Sequence, residues 1–177
     1  ETRAGTLRCG KLVIAAGIAI KWLAPMVGLD FPVKPNRGHI LITERMQPIM
    51  PMLLVNARRT ADGTINFGNS HEDAGYDTSI NPAKLGEIAR NVVRYFPILK
   101  NARIVRTWSA LRVMAPDGFP IYRESETAPG AFSISCHSGV TLAAAHALDL
   151  APTILKGGFN ERFAAFSSER FHVSPAA

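Results

Sequence analysis

The sequence predicts an α+β fold built on a mixed, largely antiparallel sheet with flanking helices. Three observations predict it. Periodic segments run strand, helix, strands, helix, strands, helix, without the regular alternation of a βαβ chain. Several strands are separated only by tight-turn residues, Asp62-Gly63 and Pro116-Asp117-Gly118 among them, which favours antiparallel or mixed pairing. The 177 residues are 47% apolar and 19% charged, enough for a sizeable core and unlike disordered, collagenous or low-complexity chains.

The elements follow in order. Leu12-Val13-Ile14 is a β-rich run and reads as a buried strand, closed by Gly17. Residues 18–27 read as a short helix stopped by Gly28. Pro32 and Pro35 keep residues 31–35 extended, because proline disfavours helix at the residue before it. Residues 38–43 form a strand, broken by Pro48 and Pro51. Residues 53–59 and 64–69 pair as a hairpin around Ala61-Asp62-Gly63, since Asp-Gly tolerates positive φ. The clearest helix takes Asn81 as its cap and Pro82 in its first turn. There Leu85, Ile88, Ala89, Val92, Val93 and Phe96 share a face, with Lys84, Glu87, Arg90 and Arg94 opposite, and Pro97 ends it. Residues 102–114 form a long strand, followed by the turn Ala115-Pro116-Asp117-Gly118. Short strands at 119–122 and 131–136 come next. A small-residue helix runs from Gly139 to about Lys156 and must kink or restart at Pro152, which costs about 3 kcal/mol in a helix interior. A last helix from Asn160 to Arg170 buries Phe163 and Phe166.

Composition narrows the function. The 20 basic residues exceed the 14 acidic ones, for a net charge of +6, but they are scattered and lack aromatic interleaving. Nucleic-acid binding is therefore not expected, while small anionic substrates are compatible. Lys11, Lys21 and Asp30 interrupt the richest apolar stretch, short of the ~18–20 residues that span a bilayer. Cys9 and Cys136 are far apart and lack zinc or disulfide spacing; both read as small buried side chains in a reducing compartment. The five histidines show no paired metal spacing, and GxGxxG, HExxH, GxSxG and Walker A sequences do not occur.

Three segments ask for more than packing. Val13-Ile14-Ala15-Ala16-Gly17 ends a strand in small residues, which allow either tight packing or close approach of a ligand to the backbone. Ser135 to Leu142, followed by Ala143, Ala144 and Ala145, runs a strand into a helix start. Unpaired N–H groups there suit anionic or carbonyl oxygens, unless a serine simply caps the helix. Arg112 lies late in an apolar strand. A guanidinium in such a place needs an anion, either Asp117 or the carboxylate of a substrate gripped by a bidentate fork.

These segments occur together and in order in one family. KLVIAAG (11–17), PVKPNRGHILITE (32–44), INFGNSHEDAGYD (65–77), LRVMAPDGFPIY (111–122), PGAFSISCHSGVTLA (129–143) and ERFAAF (161–166) cover nearly the whole chain. Together they resemble the C-terminal half of FAD-dependent oxidoreductases of the D-amino-acid oxidase superfamily. The APDGFPIY and CHSGVTLA blocks are most similar to the β-subunit type of opine oxidases, hydrogen cyanide synthase and D-hydroxyproline dehydrogenase. The resemblance implies FAD as cofactor, residues 1–30 and 126–177 as parts of a Rossmann-like FAD domain, and residues 31–125 as a substrate-binding domain. It implies that Arg112 clamps the substrate carboxylate and that Tyr122 is a polar contact. Ala16 and Gly17 would lie near the cofactor's phosphates and ribityl chain. His137, Ser138, Gly139, Val140, Thr141 and Leu142 would meet the flavin's C2 carbonyl and N1 edge. Ser138 stands where glycine oxidase-like members carry an additional Arg, and Ile18-Ala19-Ile20 replaces the usual Trp or Ser after AAG. The family's N-terminal βαβ unit with its GxGxxG is not in this sequence. A fragment is therefore expected, poor at holding FAD alone and partnered by the missing FAD-binding half. The expected activity of the intact protein is oxidation of an amino acid or N-substituted amino acid. Its expected partners are a small amino-acid-like carboxylate and other subunits of a hetero-oligomeric dehydrogenase. The expected location is the cytoplasm or the periphery of the inner membrane. The alternative is a non-catalytic ligand-binding or structural subunit that keeps the scaffold.

Overall fold

A computed structural model describes residue 3, residues 5–49, residue 54 and residues 56–171. In chain order it holds β1 (Leu12–Ile14), a 3-10 turn (Gly17–Ala19), α1 (Ile20–Leu23), a second 3-10 turn (Ala24–Val27), β2 (Lys34–Thr43), β3 (Ala57–Arg59), β4 (Ile65–Gly68) and α2 (Pro82–Tyr95). A 3-10 turn (Pro97–Asn101), β5 (Ile104–Met114), β6 (Ile121–Glu124), β7 (Ala131–Ser135) and α3 (Ala143–Ala145) follow. A π-helical turn (His146–Leu150), α4 (Ala151–Lys156), α5 (Glu161–Ala164) and a 3-10 turn (Ser168–Phe171) complete the described elements. These form two compact units, residues 1–34 with 113–177, and residues 35–112. Residues 113–125 thus group with the first unit, apart from most of the middle segment read from the sequence.

The first unit carries a three-stranded sheet in the order β1-β7-β6. β1 runs parallel to β7, with Val13 opposite Phe132, and β6 runs antiparallel to it, with Tyr122 opposite Ile134. Central β7 buries Ala131, Phe132, Ser133 and Ser135. β1 departs from the buried strand expected: Leu12 and Val13 are exposed, because β1 is an edge strand with no further neighbour among the described residues. Ile20, Ala24, Leu29, Phe31, Val33 and Ile121 make one core of this unit, and Tyr122, Phe132, Leu150 and Ile154 a second.

The helix expected from Gly139 opens four residues later, at Ala143, after a series of turns. Pro152 has no N–H to offer, and the helix widens to π spacing directly before it rather than breaking. Thr153 Oγ1 donates to the Asp149 carbonyl there at 2.8 Å. The last expected helix splits into α5 and a 3-10 turn, with Phe163 and Phe166 packed against the second core. No helix among the described residues is long and apolar enough to cross a membrane.

The second unit holds a four-stranded sheet, β3-β4-β2-β5, in which β4 pairs antiparallel with both β2 and β3. The expected hairpin is β3 and β4, although positions 53 and 55 lie outside the described residues. α2 covers the sheet: Ile88 and Val92 pack with Leu41, Ile65, Phe67 and Leu99. Its start is set locally as expected, with Asn81 Oδ1 accepting from the Ala83 and Lys84 amides at 3.1 and 3.4 Å.

Candidate functional site

In the first unit the small-residue turn and the expected cofactor loop leave the same end of one sheet. β1 and β7 are parallel neighbours, so Ala16 and Gly17 after the first and residues 137–142 after the second emerge side by side. Ligands collect at the carboxyl ends of parallel strands for this reason. Gly17 takes φ +56°, and a Cβ there would meet open space. In the other loop the Leu142 N–H donates to the Ser138 carbonyl at 2.9 Å and the Ala143 N–H to Val140 at 3.3 Å. The amides of Gly139, Val140 and Thr141 donate to no backbone carbonyl among the described residues. Val140 is 95% exposed. The loop thus offers consecutive free N–H donors at an open surface, which fits a carbonyl or anionic edge of a flat ligand.

A cavity of about 540 Å³ within the same unit is lined by His137, Ser138 and Thr141 of that loop and by Tyr122, His146 and Phe163. Tyr122 is buried, with its ring among Phe159, Phe163 and Phe166. Its hydroxyl and His146 Nε2 are 2.8 Å apart. Burial pushes the Tyr122 hydroxyl up to about 12, with Cys136 adding to the rise, and burial lowers His146. Both groups are therefore neutral at neutral pH, and the tautomer of His146 sets which of them donates. Burial also raises the Cys136 thiol, which stays protonated. Cys9 corrects the sequence reading of two buried cysteines: it is exposed on the segment before β1. Tyr122 and Arg112 fall in different compact units.

Arg112 sits near the end of β5 in the second unit. Asp117, one of its two expected partners, accepts from Arg170 at 2.7 and 3.1 Å. Arg112 Nη1 donates to the Ser70 carbonyl at 2.9 Å and to Asn36 Oδ1 at 3.3 Å. Its Nε and Nη2 donate to nothing among the described residues, and no carboxylate there pairs with it. Burial without a compensating anion lowers its pKa. The guanidinium lies over Gly38, where a Cβ would overlap it, so any larger residue at this point would displace the end of the Arg112 side chain.

A neighbouring network escapes the sequence reading altogether. Arg37, buried in β2, donates to both Glu72 oxygens at 3.2 and 3.3 Å and to Asp77 at 2.5 Å. His39, fully buried, accepts the Asn81 N–H on Nε2 at 3.0 Å and turns Nδ1 to Ser70 Oγ and Glu72 Oε2 at 3.0 and 3.2 Å. Ser70 therefore touches both this network and Arg112. Two basic residues flanking a glycine, Arg37 and His39, at the head of an apolar strand are the available signal. Arg37 and Asn81 hold the Glu72 carboxyl below its ordinary value, and the hydrogen bonds from Ser79, with Arg37, do the same for Asp77. Both folded-state values are depressed, so the stabilisation is complete above the ordinary values of 4.5 and 3.8 and is lost as pH falls through the folded ones. Thermal unfolding midpoints are expected to drop as pH falls below about 4.5, and Glu72→Gln to shallow that drop. An identical acid slope in the variant would contradict this.

The comparisons with known proteins come down on one family. The profile of the DAO family, the FAD dependent oxidoreductases, matches residues 1–152. An opine oxidase subunit from Agrobacterium tumefaciens is 43% identical over 166 residues, covering 94% of this chain and 45% of that protein. The hydrogen cyanide synthase subunit HcnC of Pseudomonas aeruginosa is 32% identical over 98% of this chain and 43% of its own length. Glycine oxidase from Geobacillus kaustophilus has a similar fold, with a TM-score of 0.84 at 21% identity, over 97% of this chain and 48% of that one. The chain belongs to the DAO family of FAD-dependent oxidoreductases. It spans about half the length of the curated relatives it matches.

Proposed function

We propose that the protein containing this chain oxidises an amino acid or N-substituted amino acid, of the opine, D-amino acid, glycine or sarcosine type, with FAD as oxidant. The observation that carries the reading is Arg112, a half-buried cation whose fork has two unclaimed donor nitrogens and no carboxylate among the described residues. A planar carboxylate matches that fork. The free amides of residues 139–141 would hold the C2 carbonyl and N1 edge of the flavin, and Ala16 and Gly17 the phosphate and ribityl portion. Bound FAD would supply the two-electron acceptor for a hydride from the substrate's Cα. The substrate would be left as an imine, its nitrogen proton passing to solvent, for water to hydrolyse. Arg112 contributes orientation, fixing the carboxylate and hence the direction of Cα. Amide donors aimed where charge accumulates favour electron transfer without reorganising. The relatives' names call them subunits, which supports further subunits for this protein as well.

The test is spectroscopic. The full-length protein should purify yellow and bleach anaerobically on addition of one of these amino acids. Peroxide released in air marks an oxidase; reaction only with dye acceptors marks a dehydrogenase. A protein that binds no flavin, or a flavin that none of these amino acids reduces, overturns the reading.

A further inference from the structure

Both acceptors of Arg112 Nη1, the Ser70 carbonyl and Asn36 Oδ1, are held in place from behind, within the unit of residues 35–112. β2 presents alternate residues to its two faces. Asn36 and Gly38 meet the Arg112 side chain, whereas Arg37 and His39, both buried, meet Glu72. Asn36 is oriented by its Nδ2, which donates to the Glu72 carbonyl at 3.3 Å and leaves Oδ1 to accept. Ser70 is oriented by His39: its Oγ accepts the His39 backbone N–H at 3.0 Å and stands 3.0 Å from His39 Nδ1. The His39 ring has one arrangement that serves all these neighbours. Nε2 accepts the Asn81 N–H at 3.0 Å, so the proton of the neutral ring is on Nδ1, towards Ser70 Oγ and Glu72 Oε2. A fully buried imidazole thus ties the cap of α2, Glu72 and Ser70 to β2, and the Ser70 carbonyl passes the constraint to Arg112 at 2.9 Å. An apolar side chain would fill the same space and satisfy none of these groups.

We propose that His39 is a positioning residue for Arg112, setting through Ser70 the direction in which the guanidinium fork points. The proposal rests on the assignment of Arg112 to a substrate carboxylate and adds the residue that aims it. Nη1 is the anchored corner of a rigid, planar group, so a shift of the Ser70 carbonyl swings Nε and Nη2 with it. Those two nitrogens must line up with both oxygens of a carboxylate for a bidentate pair to form. A reacting group displaced by about 1 Å can lose on the order of 10²-fold in rate.

A double-mutant cycle in the full-length protein tests this, read as steady-state kinetics with whichever of octopine, D-alanine, glycine and sarcosine bleaches the flavin. His39→Leu should lower kcat/KM about tenfold, with kcat falling as well as KM rising. In an Arg112→Ala background the same change should cost less than about twofold, because the group it aims is gone. A histidine that merely supports the fold would cost the same factor in both backgrounds. His39→Gln should recover most of the loss, since its amide oxygen can accept from Asn81 while its amide N–H faces Ser70 and Glu72. If His39→Leu does not fold, Ser70→Ala carries the same cycle, removing only the hydroxyl that His39 holds, with an expected loss of about threefold or more. Equal losses in the two backgrounds, or unaltered kcat/KM in both His39→Leu and Ser70→Ala, overturn the proposal and leave the Arg112 assignment standing. Unaltered kcat/KM in Arg112→Ala, or bleaching by none of the four amino acids, defeats the reading beneath and the proposal with it.

Discussion

Arg112→Ala in the full-length protein is expected to lower kcat/KM for its amino acid by on the order of 10²-fold, the usual loss when one member of a desolvated charge pair is removed. Both KM and kcat should suffer, because the fork binds the carboxylate and also fixes where Cα points. Arg112→Lys should recover only part, since an ammonium is a point charge without the planar pair of donors. The change should cost little stability. Arg112 forms no ion pair among the described residues, and its bonds go to the Ser70 carbonyl and the Asn36 side chain. Gly38→Ala provides an independent check, because its Cβ would push the guanidinium aside while leaving the charge present. The same direction of loss is expected there, with a smaller size where the side chain can shift. Steady-state kinetics with melting curves as a control decide the matter. An Arg112→Ala protein that is folded and has unaltered kcat/KM would remove the centre of the functional reading.

How much of this can be read in advance depends on how local each signal is. α2 is legible to the residue because its cap, its Pro82 and its apolar face all lie within or beside the helix. The hairpin turn is legible for the same reason. β1 reads correctly as a strand and wrongly as buried, because its sequence reports β propensity and not which strands lie beside it. The start of the Ala-rich helix is misplaced by four residues, since Gly139 and Thr141 punctuate a turn series as readily as a helix start. Arg112 can be singled out, but choosing between its two anions requires knowing that Arg170 takes Asp117, fifty-three residues away.

Phe132→Ala carries the largest expected cost in stability, about 3–5 kcal/mol, the range for emptying a fully buried aromatic site. The residue is completely buried on β7, the central strand of its sheet, with Val13 of β1 and Glu124 of β6 as its register partners. Its ring meets Phe159 edge-on at 5.5 Å, and Lys11 Nζ stands 5.1 Å from the ring centre. Neighbouring aromatic side chains can relax into part of the space, which sets the lower end of the range; the backbone of a central strand cannot, which sets the upper. Since folded domains hold only about 5–15 kcal/mol in total, this one side chain decides a large share. Phe132→Leu keeps most of the volume and should cost less than half as much. The functional consequence follows from the chain order: β7 ends at Ser135, immediately before residues 137–142 with their free amides. A loosened β7 should therefore let FAD dissociate during dialysis at a denaturant concentration where Phe132→Leu still retains it. Urea unfolding of the three proteins, followed beside flavin retention, measures both effects. A Phe132→Ala protein within about 1 kcal/mol of the unaltered one would mean that this strand is not what holds the loop in place.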